Sequence, residues 1–177
     1  MNKPTNFREL LELQRILDIE TTKPRKNGFK PRERIKLDIL SSLDDEFQEW
    51  QKELPYEYNF KTWKQKEYNR EKELEEFVDV LFFFLQYVNY RAKIVSCVIE
   101  GFEEAFNDCI DPISLEIQDI IYCFKANLWC NNIEDAFNEW RAIAYCRGFT
   151  TEEIFDAYWK KWQFNMERQN KDWVIQE

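Results

Sequence analysis

The scarcity of turn-forming residues constrains this chain more than any other feature of its sequence. Its 177 residues include only three glycines and five prolines. A β protein needs such residues at short intervals, because each strand has to end in a turn. The sequence therefore predicts an all-α fold of long helices. Its length and its 44% hydrophobic content suffice for one core, so we expect a single all-helical domain over residues 1–177.

Hydrophobic periodicity and capping signals divide the chain into seven predicted helices. Asn6 with Glu9, and Thr150 with Glu153, have capping-box spacing and should begin the first and last helices. We expect Pro31 in the first turn of the second helix, and Asn131 at the start of the sixth with Glu134 as its capping partner. The break between the fourth and fifth helices is expected at 111–112. The predicted bounds are about 6–20, 31–54, 71 to at least 88, 92–107, 113–130, 131–148 and 150–170.

Two pairs of carboxylates are the most distinctive chemical feature. Glu46 and Glu49 border the apolar stripe of the second helix, while Glu76 and Asp79 lie on the third, with Asp79 inside the apolar run 77–88. Residues three apart project from one helix face, so two antiparallel helices would bring four acids together. Such a group is costly unless it binds cations, and carboxylate oxygens suit Mg²⁺ or Mn²⁺. The alternative is a solvated acidic face in a chain with 34 acidic residues.

Two further groups of residues are candidates for nucleotide contacts. On the last helix, one face carries two cations, a phenol and amides, which suit phosphates and a sugar: Tyr158, Lys161, Asn165, Arg168 and Gln169. Between the acidic helices, Trp63 is flanked by Lys61 and Lys64 and could stack on a base. The alternatives are a solvated polar face paired with neighbouring acids, and a tryptophan that caps the core.

Composition excludes several classes of function. The chain has no histidine, which removes Ser-His and Cys-His nucleophiles and histidine-ligated zinc or iron. Its net charge of −9 argues against a nucleic-acid or anionic-membrane partner. Five cysteines without CxxC spacing indicate free thiols, mostly packed on helices, in a reducing cytoplasm. We also expect no secretion leader and no membrane span, because the most apolar run is too short.

Taken in order, these motifs resemble those of the dimeric all-α dUTPases, in the MazG-like superfamily of all-α nucleotide pyrophosphatases. The matching elements are Gln14, the E-x-x-E of Glu46 and Glu49, F-K-x-W at 60–63, L-E-E-F-V-D-V-L-F-F around Glu76 and Asp79, and A-Y-W-K-K-W-Q-F-N-M-E-R-Q-N at 157–170. The resemblance implies a helical bundle. Its core helices would be about 6–90 and 150–170, and 92–147 is the least-matched segment.

The resemblance also implies a function, that of a Mg²⁺-dependent hydrolase cleaving dUTP to dUMP and pyrophosphate, with dCTP as a second substrate and Mn²⁺ as an alternative metal. Glu46, Glu49, Glu76 and Asp79 would hold the metal, and water held by Glu46 or Glu49 would attack the α-phosphorus. Lys61, Tyr158, Lys161 and Arg168 would contact phosphates, Asn165 the deoxyribose, and Gln14 with Trp63 the base. A homodimer is implied, in the cytoplasm of a bacterium or of a phage-infected host.

Four positions depart from the family pattern. Trp162 stands where the family has Asn, Asp172 and Trp173 stand where Gly-Tyr would follow, and Lys52 replaces an Asn after the E-x-x-E. Trp162 and Asp172 are the sequence support for a second hypothesis, a non-enzymatic helical interaction or regulatory protein that retains the superfamily fold.

Overall fold

The computed structural model describes residues 1–25, 27–108 and 116–169. Within these ranges the chain forms seven helices and no strands, which confirms the all-α fold. The helices are α1 Phe7–Thr21, α2 Lys36–Glu53, α3 Arg70–Ala92, α4 Val98–Asn107, α5 Ile117–Trp129, α6 Ile133–Cys146 and α7 Thr151–Gln169. None of the described helices is long and apolar enough to span a membrane.

Helix α3 lies at the centre of the structure and packs against α1, α2, α4 and α7. The apolar run 77–88 lies in this helix, and nine of its apolar side chains are buried. Contacts between Glu53 and Lys72 at one end, and between Arg34 and Gln86 at the other, show that α2 and α3 run antiparallel. This helical hairpin carries both acidic pairs.

Stacked aromatic rings join the α2–α3 hairpin to a second pair of helices, α5 and α6. Phe47 of α2 stacks on Phe124 of α5 with 3.7 Å between ring centroids, and Phe77 of α3 stacks on Trp140 of α6 at 4.6 Å. The indole of Trp140 also donates a hydrogen bond to the Phe77 carbonyl at 3.2 Å. Because these rings are fully buried, their packing joins the hairpin to α5 and α6.

The predicted helix starts are confirmed where a capping side chain is present. Asn6 Oδ1 accepts from the Glu9 N–H at 3.0 Å and begins α1. Thr150 and Glu153 form a reciprocal capping box that begins α7.

Three predicted starts are wrong. The fourth helix begins at Val98 and not at 92, because α3 continues to Ala92. Helix α2 begins at Lys36 and not at Pro31, because the Asp38 carboxylate accepts from the Ile35 N–H at 3.0 Å and fixes the first turn there. Asn131 has a φ of 62° and, with the Asn132 N–H bonded to the Asn127 carbonyl, it ends α5 instead of capping α6. Asn132 takes the N-cap position of α6 and makes no side-chain cap hydrogen bond, so the predicted cap by Asn131 with Glu134 as partner is not formed.

The cysteines are free where the structure describes them, but their packing was predicted wrongly. Cys97, Cys130 and Cys146 are exposed and Cys123 is partly buried, because Cys97 and Cys130 lie in the turns beside α4 and α5 and Cys146 ends α6. Cys109 and the predicted break at 111–112 lie outside the described residues.

Candidate metal centre and nucleotide site

Three of the four predicted metal ligands meet on the α2–α3 hairpin. Glu46 of α2 and Glu76 and Asp79 of α3 each place one carboxylate oxygen within 4.8 Å of the others. Glu76 and Asp79 share a face because they are three residues apart, and the antiparallel register brings Glu46 opposite them. We call these three residues the acid cluster.

The environment of the acid cluster disfavours negative charge. Burial raises the pKa of Glu46 to about 7, and the charges of Asp79 and Glu76 add to the shift. Burial likewise raises the pKa of Asp79 to about 6, although Lys161 opposes this shift. Lys161 of α7 donates to Asp79 Oδ2 at 2.6 Å. One ammonium group thus faces three carboxyl groups, which leaves an excess of negative charge.

The residues present fit a divalent cation. Every donor in the acid cluster is a carboxylate oxygen, the ligand type that hard cations such as Mg²⁺ and Mn²⁺ prefer. A cation would also offset the repulsion by Asp79 and Glu76, which adds to the effect of burial on the pKa of Glu46. The acid cluster is therefore the candidate metal centre, with Glu46, Glu76 and Asp79 as its ligands.

The fourth predicted ligand, Glu49, lies one turn further along α2. Its side chain is 47% exposed and forms an ion pair with Lys52, and it is not part of the group of three. Lys52 is one of the departures from the family pattern, and its ammonium group accounts for the orientation of Glu49 in this structure.

The predicted polar face of α7 divides into an exposed and a buried part. Lys161 reaches the acid cluster, and Asn165 and Arg168 are partly exposed further along the helix. Tyr158 is fully buried, where its ring stacks on Phe82 and its hydroxyl donates to Gln14 Oε1 at 3.1 Å. The Tyr158 hydroxyl is therefore engaged inside the protein.

Trp162, which also departs from the family pattern, has a structural explanation. Its side chain is buried and its indole N–H donates to the Leu13 carbonyl at 2.8 Å, so it attaches α7 to α1. This packing role removes the support that Trp162 gave to the interaction-protein hypothesis. Asp172 and Trp173 lie outside the described residues.

The two residues predicted to contact the base lie at opposite ends of the site. Trp63 is in the connector after α2 and is 79% exposed, which excludes a core-capping role. Lys61 in the same connector lies 5.5 Å from the centre of the Phe60 ring. Gln14 is buried on α1 and bonded to Tyr158 and to Asp18, on the far side of the acid cluster from the connector.

Sequence reasoning missed a second group of polar residues beside Gln14. Asp18 Oδ1 accepts from Gln14 Nε2 at 2.7 Å and from Gln86 Nε2 at 2.6 Å. Asp18 and Gln86 line a cavity of about 900 Å³. The available signals were the spacing of Asp18 four residues after Gln14 and of Gln86 seven after Asp79, each on one helix face.

Comparison with known proteins agrees with this geometry. A family model described as dUTPase matches residues 6–173, nearly the whole chain. No curated protein sequence matches the chain significantly. The family implies a divalent metal requirement, for which the acid cluster is the candidate site. The chain therefore belongs to the all-α dUTPase family and is a nucleotide pyrophosphatase.

Proposed function

We propose that this protein hydrolyses dUTP to dUMP and pyrophosphate, with Mg²⁺ as its metal. The observation that carries the proposal is the meeting of Glu46, Glu76 and Asp79 within 4.8 Å in a chain matched by the dUTPase family along nearly its whole length. When bound there, the cation would neutralise phosphate charge and lower the pKa of the attacking water.

The protein's own groups supply the remaining chemistry. Glu46 is one candidate for accepting the proton of the attacking water. Glu49, one turn away, is the second candidate for accepting the proton of the attacking water. Lys161 holds Asp79 in place with one N–H, which leaves its other two donors for a phosphate oxygen.

Further contacts extend the proposed site away from the acid cluster. In this proposal Arg168 and Lys61 contact phosphates, Asn165 contacts the deoxyribose, and Gln14 lies on the side of the base. Tyr158 acts through Gln14 in this proposal, since its hydroxyl is bonded to the Gln14 side chain. Cleavage of dCTP, use of Mn²⁺, a homodimer and a cytoplasmic location are predictions from the family resemblance.

The direct test is pyrophosphate release from dUTP, dCTP, dTTP, dATP and dGTP, each assayed separately with Mg²⁺, with Mn²⁺ and with EDTA. We expect dUTP to give dUMP and pyrophosphate with Mg²⁺ and nothing with EDTA. Release of orthophosphate in place of pyrophosphate, or failure to cleave any of the five nucleotides, would contradict the proposal.

A further inference from the structure

The face of the α2–α3 hairpin that carries the acid cluster continues into a group of opposite charge. Glu53 follows Glu49 by four residues on α2, and Lys72 precedes Glu76 by four residues on α3, so both lie on the acidic faces of their helices. They meet across the hairpin, with Lys72 Nζ 2.9 Å from Glu53 Oε1. The ammonium group of Lys66, in the connector after α2, pairs with Glu53 Oε2. We call Glu53, Lys66 and Lys72 the lysine cluster.

The lysine cluster carries an excess of positive charge. Both ammonium groups pair with the carboxylate of Glu53, whose side chain is only 10% exposed. Burial by itself would raise the pKa of Glu53, but the hydrogen bonds from Lys66 and Lys72 lower it below its ordinary value. Glu53 is therefore ionised, and two ammonium groups on one carboxylate leave one positive charge that is not neutralised.

Both lysines of this cluster can bind a ligand without leaving Glu53. Their side chains are 45% and 48% exposed. An ammonium group has three N–H donors, and each lysine gives one of them to Glu53. The remaining donors can bind an anion such as a phosphate. Because Glu53 already holds both side chains in place, less conformational freedom is lost when the anion binds.

The lysine cluster and the Gln14 side of the site lie in opposite directions from the acid cluster. Lys72 precedes Asp79 on α3 by seven residues, which is about 10 Å along the helix axis. Gln86 follows Asp79 by the same interval, and its side chain meets Asp18 and, through it, Gln14 of α1. The acid cluster therefore lies midway along α3 between Gln86 and Lys72.

This order along α3 matches the order of groups in a nucleoside triphosphate. In the proposed reaction the α-phosphorus is attacked beside the acid cluster, while the base lies on the side of Gln14. The β- and γ-phosphates then extend in the other direction, towards the lysine cluster. Lysine is a common ligand of phosphate, which it binds as a point charge.

We propose that Lys66 and Lys72 bind the terminal phosphate of the nucleotide, so that the protein prefers triphosphates to diphosphates. Glu53 is a positioning residue, because it holds the two ammonium groups beside the phosphate path. This inference rests on the proposed function and adds the length of the phosphate chain as a property that the site recognises.

Replacing Lys72 by Met tests the proposal with little risk to folding. The variant removes the ammonium group and keeps an unbranched apolar side chain, while Lys66 still pairs with Glu53. Lys72→Arg is the conservative variant, since it retains the charge. Lys160→Met is the matched control, because it removes the same charge from an exposed lysine that pairs with Glu75 at 3.6 Å.

The experiment measures binding by calorimetry with Mg²⁺ present, using the non-hydrolysable α,β-imido analogues of dUTP and dUDP. Wild type, Lys72→Arg and Lys160→Met should bind the triphosphate analogue at least about tenfold more tightly than the diphosphate, as expected for hydrogen bonds between charged groups. Lys72→Met should lose at least about tenfold in affinity for the triphosphate analogue and less than about threefold for the diphosphate.

Two results would overturn the inference. One is equal binding of the two analogues by wild type, a comparison that needs no variant. The other is an equal effect of Lys72→Met on both analogues, which is expected if Lys72 only fixes the connector to the hairpin. Hydrolysis of dUTP is assayed on the same preparations: cleavage without discrimination refutes the role of the lysine cluster alone, whereas discrimination without cleavage refutes the proposed function alone.

Discussion

The pKa of Glu46 shows most clearly how the acid cluster affects the ionisation of its own residues. Its pKa of about 7 lies well above the ordinary value of 4.5, because the carboxyl is partly buried and faces Asp79 and Glu76. Asp79 reaches about 6 in place of 3.8 in spite of its bond to Lys161. In the metal-free protein the ionised forms of Glu46 and Asp79 are therefore unfavourable at neutral pH.

These raised pKa values predict how the stability of the metal-free protein depends on pH. The folded state holds protons on Glu46 and Asp79 that the unfolded state has already lost, so stability should fall as pH rises from about 5 to about 8. We expect a loss of about 1 to 2 kcal/mol, after discounting the shift for the partial exposure of Glu46. No histidine titrates in this window, which makes urea unfolding in EDTA at several pH values a direct measurement.

Glu46→Gln serves as the control for this prediction. The variant should flatten the dependence on pH, and added Mg²⁺ should restore the stability of wild type at pH 8 because a bound cation offsets the repulsion. A wild-type stability that stays constant or rises between pH 5 and 8 would contradict the electrostatic account of the acid cluster.

Residue spacing along the chain predicted the acid cluster but not the group of polar residues around Asp18. Glu76 and Asp79 share a face wherever a helix forms, and Glu46 follows from one antiparallel partner. Asp18 instead depends on Gln86, which is 68 residues away, and on how α1 crosses α3. Glu49 was expected in the cluster, and its ion pair with Lys52 depends on side-chain orientations that spacing does not determine.

At the scale of single helices, α7 depends on Trp162 for its attachment to α1. The buried indole fills space and donates to the Leu13 carbonyl at 2.8 Å. Trp162→Ala should reduce the free energy of unfolding by about 3 to 5 kcal/mol, because it leaves a large cavity and an unpaired carbonyl. Urea unfolding measures this loss. Phe164→Ala, at an exposed position on the same helix, should change stability by less than about 0.5 kcal/mol, and an equal loss in both variants would contradict the assignment.

The connector that carries Lys61 and Trp63 is held by a buried ion pair. Arg147, which follows α6, donates to both oxygens of the fully buried Glu73, at 2.7 and 3.0 Å. The Tyr68 hydroxyl donates to the same carboxylate at 2.8 Å. Tyr68 lies at the end of the connector, so this cluster fixes the connector to α3 and α6.

Removing one partner of this pair should be costly. Arg147→Met leaves the Glu73 charge buried and should destabilise the protein by about 3 to 5 kcal/mol in urea unfolding. Adding Glu73→Gln to that variant should recover part of the loss, because no buried charge is then left unpaired. A double variant less stable than Arg147→Met would contradict this interpretation.

The starts of α1 and α7 were predicted correctly because their capping residues act locally. Asn6 and Thr150 cap their own helices, so their sequence signals sufficed. Helix α2 starts late because Arg32 binds Asp38, and Pro31 to Arg34 form a wall of the cavity. Asn131 takes up a left-handed conformation at the end of α5, a role that the same residue type fills as readily as an N-cap.

For the whole molecule, low glycine and proline content determined the helical class, and the order of motifs indicated the family, both of which are confirmed. Motif order alone did not reveal that Trp63 and Gln14 lie on opposite sides of the acid cluster. That separation follows from the antiparallel hairpin, in which the connector and the start of α2 are at opposite ends.

The central claim is that the acid cluster binds the metal used to cleave dUTP. The most direct measurement compares pyrophosphate release from dUTP with Mg²⁺ by wild type, Glu76→Gln and Glu75→Gln. Glu75 is the matched control because it is an exposed neighbour paired with Lys160. We expect Glu76→Gln to lose at least about 100-fold in rate, consistent with removal of a direct metal ligand, and Glu75→Gln to stay within about threefold of wild type. Equal rates for Glu76→Gln and Glu75→Gln would contradict the account.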